Sequence, residues 1–229
     1  MVKFAILMNQ DSYIGRQYLD TISKFIKSIN ITIIEFNKKN SNNKIEDIRC
    51  GGLWKPPEVN IFYKKYKNYK FKNINSNEFN DFLLKNHFDY GIQAGCGIIS
   101  KKIIKLFKFG ILNFHPGDLP LYRGASAPEW QIIENNPVIA TCHFLDKDID
   151  SGPIYKKKDL GLNNYNYEKM RSMIYPKLSL FLKDIVQEIL NGVFDETIID
   201  KNKYNNSVRK YIGDDKINLL KHKLKNFNR

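Results

Sequence analysis

This chain has no run approaching the roughly 18 consecutive apolar residues of a membrane-spanning helix, so no span is expected in its 229 residues. The N-terminus enters an apolar strand at once, Phe4 to Met8, and then meets polar Asn9-Gln10-Asp11. That run is too short for the apolar segment of a secretory leader. Cysteine is scarce. Cys50, Cys96 and Cys142 are odd in number and far apart, which argues against a disulfide framework or a metal knot and fits a reduced, cytoplasmic setting. His87, His143 and His222 have no ligand-like spacing and read as ordinary core or surface residues, so no metal is expected. Internal repeats are missing too.

Negative charge is also short. Against 37 Lys and Arg there are 24 Asp and Glu, a formal net charge of +13. Such a balance favours anionic partners, phosphates or polyglutamates among them. The lysines are spread along the chain, often beside asparagine as in Lys38-Lys39-Asn40. The charge therefore gives little support to a nucleic-acid partner. A hydrophobic content of 42% over this length suffices for one sizeable domain with a small appendage.

Residues 4–9 and 31–36 read as buried strands. Between them an amphipathic helix over 13–29 turns Ile14, Tyr18, Leu19, Ile22, Phe25 and Ile26 inward. Residues 37–44 are a polar loop, and 50–72 is broken by Gly51-Gly52 and Pro56-Pro57, with a short strand over 59–63. Ser76 is a candidate cap for a helix reaching residue 86. A strand from 89 runs into the glycine-rich turn at Gly95 and Gly97, and Ser100 caps a short basic helix ending near 107. Strand 111–115, helix 127–135, strand 138–145 with 153–157 beside it, and a long helix over 167–190 complete the pattern. Pro176 predicts a kink or break in that last helix.

This alternation predicts an α/β fold: a Rossmann-like, mainly parallel sheet with helices on both faces. Residues 1–192 form the main domain. Residues 193–229 form a short β-rich C-terminal extension, too small for an ordinary independent domain.

The chemistry concentrates in Ile111-Leu112-Asn113-Phe114-His115-Pro116-Gly117, answered by Asp148-Ile149-Asp150-Ser151-Gly152-Pro153. Side chains two apart on a strand share a face. Asn113 and His115 thus stand together at a strand's carboxyl end, where open α/β sheets place their ligand crevices. Asp150 follows the next apolar strand in a polar turn. An amide to stabilise an oxyanion, an imidazole to move a proton and a carboxylate to orient it suit acyl transfer to an amine. Taken singly, Asn-x-His before Pro-Gly also suits a capped strand end, and Asp-Ser-Gly an ordinary turn.

Asn113-x-His115-Pro116, Leu119-Pro120-x-Tyr122-Arg123-Gly124 and Asp148-x-Asp150-x-Gly152-Pro153-Ile154 resemble the signature blocks of the folate-dependent formyltransferases. The resemblance is close over residues 89–155 and runs in outline elsewhere. It implies a domain over residues 1–192 that binds N10-formyltetrahydrofolate and passes the formyl group to an amine. Asn113, His115 and Asp150 match the family's catalytic triad. The family's pterin pocket is largely backbone, which implies Gln93, Ala94, Gly95, Cys96, Gly97, Ile98 and Ile99 here. Gly117-Asp118-Leu119 stands where Ser-Leu-Leu is usual in the family.

Two branches of the family fit less well. Glycinamide ribonucleotide transformylases carry a glycine-serine phosphate loop after the first strand, and Met8-Asn9-Gln10-Asp11-Ser12 lacks those glycines. Methionyl-tRNA formyltransferases add a C-terminal domain of about a hundred residues, against the short tail after Asn191. The layout is similar to sugar N-formyltransferases, which modify nucleotide-linked amino sugars for surface polysaccharides such as the lipopolysaccharide O-antigen. A dTDP-linked sugar, dTDP-4-amino-4,6-dideoxyglucose first, and a homodimer are implied by this kinship alone.

Tyr122 and Arg123 are candidates for the substrate diphosphate, since Arg suits bidentate phosphate contacts; Arg123 serves equally well as a loop tie. Trp54 suits stacking on a nucleotide base or anchoring its own loop. The rival class is a non-catalytic nucleotide-sugar or RNA binder on the same fold. Such a degenerate binder would be expected to lose one of Asn113, His115 and Asp150, and all three are present.

Overall fold

The computed structural model describes residues 1–26, 30–37, 43–195, 200 and 207–225. A seven-stranded sheet has the order β3-β2-β1-β4-β5-β6-β7. Its strands are β1 (Lys3–Asn9), β2 (Asn30–Phe36), β3 (Lys67–Phe71), β4 (Tyr90–Gln93), β5 (Gly110–His115), β6 (Ile139–Phe144) and β7 (Ile154–Asp159). β3 through β5 pair in parallel; β6 runs antiparallel to both β5 and β7. The expected mainly parallel α/β sheet is present.

β1 and β2 are buried along nearly their whole length, as central strands covered on both faces must be. On one face lie α1 (Tyr13–Phe25) and α7 (Tyr167–Leu190), with Tyr18, Ile22, Phe114, Leu178 and Phe181 in a shared core. On the other, α4 (Asn77–Asn86) and α5 (Lys101–Ile104) pack Phe79, Leu83 and Ile103 against Ala5, Leu7 and Ile111. The Ser12 hydroxyl caps α1 by accepting from the Gly15 N–H (3.2 Å) and donates to the Ala94 carbonyl (2.6 Å). It thereby ties the ends of β1 and β4 together at the point where the strand order reverses.

Several expectations change. Residues 59–63 are not a strand: α3 (Asn60–Lys65) occupies this stretch, with only Phe62 buried along the helix, a pattern one helical turn satisfies and an alternating strand does not. The strand of this region is β3, an edge strand exposed at four of its five positions and carrying Lys67 and Lys70. Lysines on an edge strand discourage pairing with another chain, and they also hide the strand from a hydrophobic reading. α2 (Asn43–Cys50) begins inside the expected 37–44 loop, and residues 38–42 and 27–29 of the expected loop and helix lie outside the described residues. α7 continues through Pro176, so no break occurs there.

The extension differs most. Its described part contains α8 (Asp214–Lys225) and two isolated bridges, Gly124 to Arg209 and Ile154 to Asp200, rather than a β-rich module. Leu220 and Leu224 of α8 join the core shared with α7, which favours a helix because their spacing of four places both on one face. Residues 196–199, 201–206 and 226–229 of the extension lie outside the described residues. Among the described residues, no helix is long and apolar enough to cross a membrane.

Candidate active site

β5 sets the site by its alternation. Leu112 and Phe114 enter the α1/α7 core, and Ile111 enters the opposite one. Asn113 and His115 therefore share the second face at the strand's carboxyl end, as the period of two requires. Pro116 and Gly117 then turn the chain. Thr141 on β6 pins this turn, its hydroxyl donating to the Gly117 carbonyl (2.7 Å) and accepting from the Leu119 N–H (3.1 Å).

Asp150 arrives from the loop between β6 and β7. It has a positive φ of 47°, an uncommon conformation that Asp tolerates better than most residues. Gly152 closes that loop so tightly that a Cβ there would overlap the Phe144 carbonyl. Only glycine fits. Asp150 Oδ2 accepts from the Gly124 N–H (2.9 Å) and lies 3.5 Å from His115 Nδ1. Its other oxygen is 3.5 Å from Asn113 Nδ2 and 3.6 Å from His143 Nε2. The three sequence-selected residues are thus brought together.

His143 belongs to the same cluster, although its spacing reads as that of an ordinary buried histidine. Antiparallel pairing places it directly opposite Asn113, and directly opposed residues share a face. His143 Nδ1–H donates to the Phe144 carbonyl (2.9 Å), so Nε2 is free to accept from Asn113 Nδ2 at 3.0 Å. The signal that identifies it is the β5–β6 register, which no local pattern encodes.

Seen from Asn113 Nδ2, the two acceptors His143 Nε2 and Asp150 Oδ1 are only 3.6 Å apart. The contact to His143 is the shorter and the one to Asp150 stands at the limit of a hydrogen bond, so the N–H on that side can turn to an acceptor in the cleft. His115 is held from the other end: Nε2–H donates to the Tyr122 carbonyl at 2.6 Å, leaving Nδ1 beside Asp150.

The electrostatics follow. Burial by itself would raise the Asp150 carboxyl, but the field of His115 and the Gly124 N–H hold it well below the usual carboxylate range. The site keeps an anion beside the His115 ring.

Asn113 and Asp150 open on a cleft of about 250 Å³ walled by Gln93, Gly97, Ile98 and Ile99 on one side and the loop from Leu145 to Ile149 on the other. Apolar faces (Ile98, Ile99, Leu145) meet a polar rim (Gln93, Asp146, Asp148), a lining suited to a flat heteroaromatic ring with hydrogen-bonding edges. Ala94, Gly95 and Cys96 of the same turn stand behind this wall. The Gly95 carbonyl accepts from the Asn9 N–H (3.3 Å), and burial pushes the Cys96 thiol up to about 12, which leaves it unreactive.

The remaining candidates sit differently. The Tyr122 hydroxyl donates to Glu134 and accepts from Asn136, each at 2.7 Å; it is the Tyr122 carbonyl that reaches the site. Arg123 is buried and grips the Ile149 carbonyl through Nε (2.9 Å) and Nη2 (2.6 Å), the loop-tie arrangement. Trp54 donates to Gln17 Oε1 (3.2 Å) and packs edge-on against Tyr13 and Tyr175. It anchors its loop on α1 and α7, with contacts that account for both its ring and its N–H.

A family profile described as Formyl transferase matches residues 22–171. A methionyl-tRNA formyltransferase of Mycoplasma pneumoniae is 33% identical over 108 residues, covering 45% of this chain and 34% of that protein. The chain thus spans about a third of the length of such curated relatives. In fold it is similar to a sugar N-formyltransferase from Shewanella sp., with a TM-score of 0.62 and 13% identity over 93% of this chain and 78% of that one. It is also similar to an N-formyltransferase from Helicobacter canadensis in complex with folinic acid and dTDP-3-aminofucose, with a TM-score of 0.59 and 17% identity over 96% and 73%. With a profile match over well more than half its length and the Asn113, His115 and Asp150 cluster at the carboxyl end of β5, the chain belongs to the formyl transferase family.

Proposed function

We propose that this protein transfers a formyl group from N10-formyltetrahydrofolate to the amine of a nucleotide-linked amino sugar, with dTDP-4-amino-4,6-dideoxyglucose the first candidate. The observation that carries the transfer is that Asn113 and Asp150, with His115 against Asp150, open on a cleft whose apolar walls and polar rim suit a pterin. When bound, the folate supplies an activated formyl carbon and a nitrogen leaving group. The Asn113 N–H on the Asp150 side donates to the formyl oxygen as negative charge develops there; a lost donor of this kind typically costs about 10²–10³ in rate. His115 Nδ1 takes the proton released by the attacking amine and returns one to the departing nitrogen. Asp150 holds the ring for this exchange and stabilises its cationic form.

Support for a sugar acceptor comes from the end of β1. The N–H groups of Asn9, Gln10 and Ser12 donate to the carbonyls of Gly95, Phe36 and Asn9, and Asp11 adds a carboxylate paired with Arg16 at 2.8 Å. Amides already bonded and a negative charge disfavour the phosphate cradle a glycinamide ribonucleotide needs. The sugar reading is also supported by the fold likeness to the Helicobacter canadensis enzyme. A second reading, methionyl-tRNA, is favoured by the sequence likeness to the Mycoplasma pneumoniae protein.

The test is incubation with N10-formyltetrahydrofolate and each acceptor in turn, with products read by mass spectrometry. Formylation of the dTDP-amino sugar, abolished by Asn113→Ala, is the expected result. Formylation of methionyl-tRNA alone would replace the acceptor and keep the chemistry.

A further inference from the structure

The groups that orient His115 and Asp150 belong to one short loop. The Tyr122 carbonyl accepts from His115 Nε2 (2.6 Å), and the Gly124 N–H donates to Asp150 (2.9 Å). Beside the Arg123 tie to Ile149, the C-terminal extension holds this loop. Arg209 N–H donates to the Arg123 carbonyl (2.8 Å), and the Arg209 carbonyl accepts from the Ala125 N–H (3.0 Å), a two-bond parallel bridge straddling Gly124. Gly124 has a φ of +92°, and a Cβ there would overlap the Arg209 carbonyl. The approach is as close as backbone allows.

The Arg209 side chain clamps the same loop from above. Its guanidinium lies 4.6 Å over the Tyr122 ring and 5.5 Å from the Trp130 ring, and pairs with Glu134 through Nη1 at 2.5 Å and Nη2 at 3.2 Å. Glu134 in turn accepts from the Tyr122 hydroxyl. On either side, Trp130 Nε1 donates to the Lys210 carbonyl (3.2 Å) and Ile212 N–H donates to the Ser126 hydroxyl (3.3 Å).

We propose that residues 208–212 act as a positioning strap, with Arg209 as its key positioning residue, fixing the Tyr122–Ser126 loop so that its backbone presents His115 and Asp150 in reacting geometry. This rests on the formyl-transfer reading for its kinetic consequence, though not for its structural one. Arg209 touches neither cleft nor reacting group; it works through the loop.

The experiment compares the full-length protein with Arg209→Ala and Arg209→Lys. Arg209→Ala is expected to lower kcat about tenfold, since small misplacements of reacting groups are costly, while the dissociation constant for folinic acid changes by less than about twofold. Arg209→Lys, which keeps a cation over the rings, should recover most of the loss. Hydrogen exchange without substrate supplies the second readout. The Gly124 amide, bonded to Asp150 rather than to the strap, should exchange at least about tenfold faster in Arg209→Ala, with amides of β1 and β4 unchanged as the test of intact folding. Unchanged kcat and unchanged Gly124 exchange would overturn the strap. A wild-type protein inactive on every acceptor would sink the transfer reading, while the Gly124 exchange would still decide the strap.

Discussion

Replacing Asp150 by asparagine keeps the shape of the side chain and removes its charge. The amide oxygen introduced by Asp150→Asn would still accept from the Gly124 N–H, so the loop contact survives. What disappears is the anion between His115 and His143, at 3.5 and 3.6 Å. Hydrogen bonds to a charged group are each worth about 1.5–3 kcal/mol, and this carboxylate faces two imidazoles and the Gly124 N–H. The cost of burying the carboxylate, 12% of whose side chain remains exposed, offsets part of that. A net loss of about 2–4 kcal/mol at pH 7 follows, or roughly 5–15 °C in melting temperature for a chain of this size.

The pH dependence is the sharper part. The folded carboxyl titrates well below the ordinary value, and the unfolded one near about 3.9. Its stabilisation is therefore fully present above the unfolded value and drains away as pH falls through the folded one. Wild type and Asp150→Asn should differ most at about pH 5–8 and converge as pH falls below about 3. Urea titrations of both proteins across that range measure it. A stability difference independent of pH would refute the electrostatic account, and a more stable variant at pH 7 would show that burial outweighs the pairing. The same substitution should lower kcat by about 10³-fold or more, by analogy with carboxylates that orient catalytic imidazoles.

Asn113→Ala should reduce kcat about a hundredfold or more with the melting temperature nearly kept; a change confined to KM in steady-state assays would remove Asn113 from the reacting centre. His143→Phe fills the buried volume but deletes the acceptor at 3.0 Å from Asn113, so kcat should drop about tenfold, a loss of roughly one hydrogen bond's orienting energy, and wild-type rates would make His143 a packing residue only. Trp54→Ala should cost about 2–4 kcal/mol in denaturant unfolding while leaving the KM for the nucleotide sugar within about twofold; a selective rise in that KM would restore Trp54 as a base-stacking residue.

The signals read correctly from the chain are those whose physics is local. Period-two alternation put Asn113 and His115 on one face, and the Ser76 cap marks a real helix start, its hydroxyl accepting from an N–H three residues on. The unbroken apolar runs of β1 and β2 announce central strands of a parallel sheet. Edge strand β3 was illegible because an edge gains little burial and its lysines serve against association. α8 was illegible for the opposite reason: Leu220 and Leu224 are its buried residues, and the core they join is built from elements distant in the chain.

Sequence alone, then, determined the α/β class, the Asn113, His115 and Asp150 set and the turn glycines, because alternation, capping and conformational freedom act within a few residues. Tertiary structure alone decided that His143 faces Asn113 and that Arg123 ties a loop. It also decided that Trp54 packs against Tyr13 and Tyr175 and that Arg209 lies across the Tyr122 ring. Those facts depend on strand register and on contacts between residues 26 or more positions apart, and nothing in the local chain specifies which distant surface a side chain will meet.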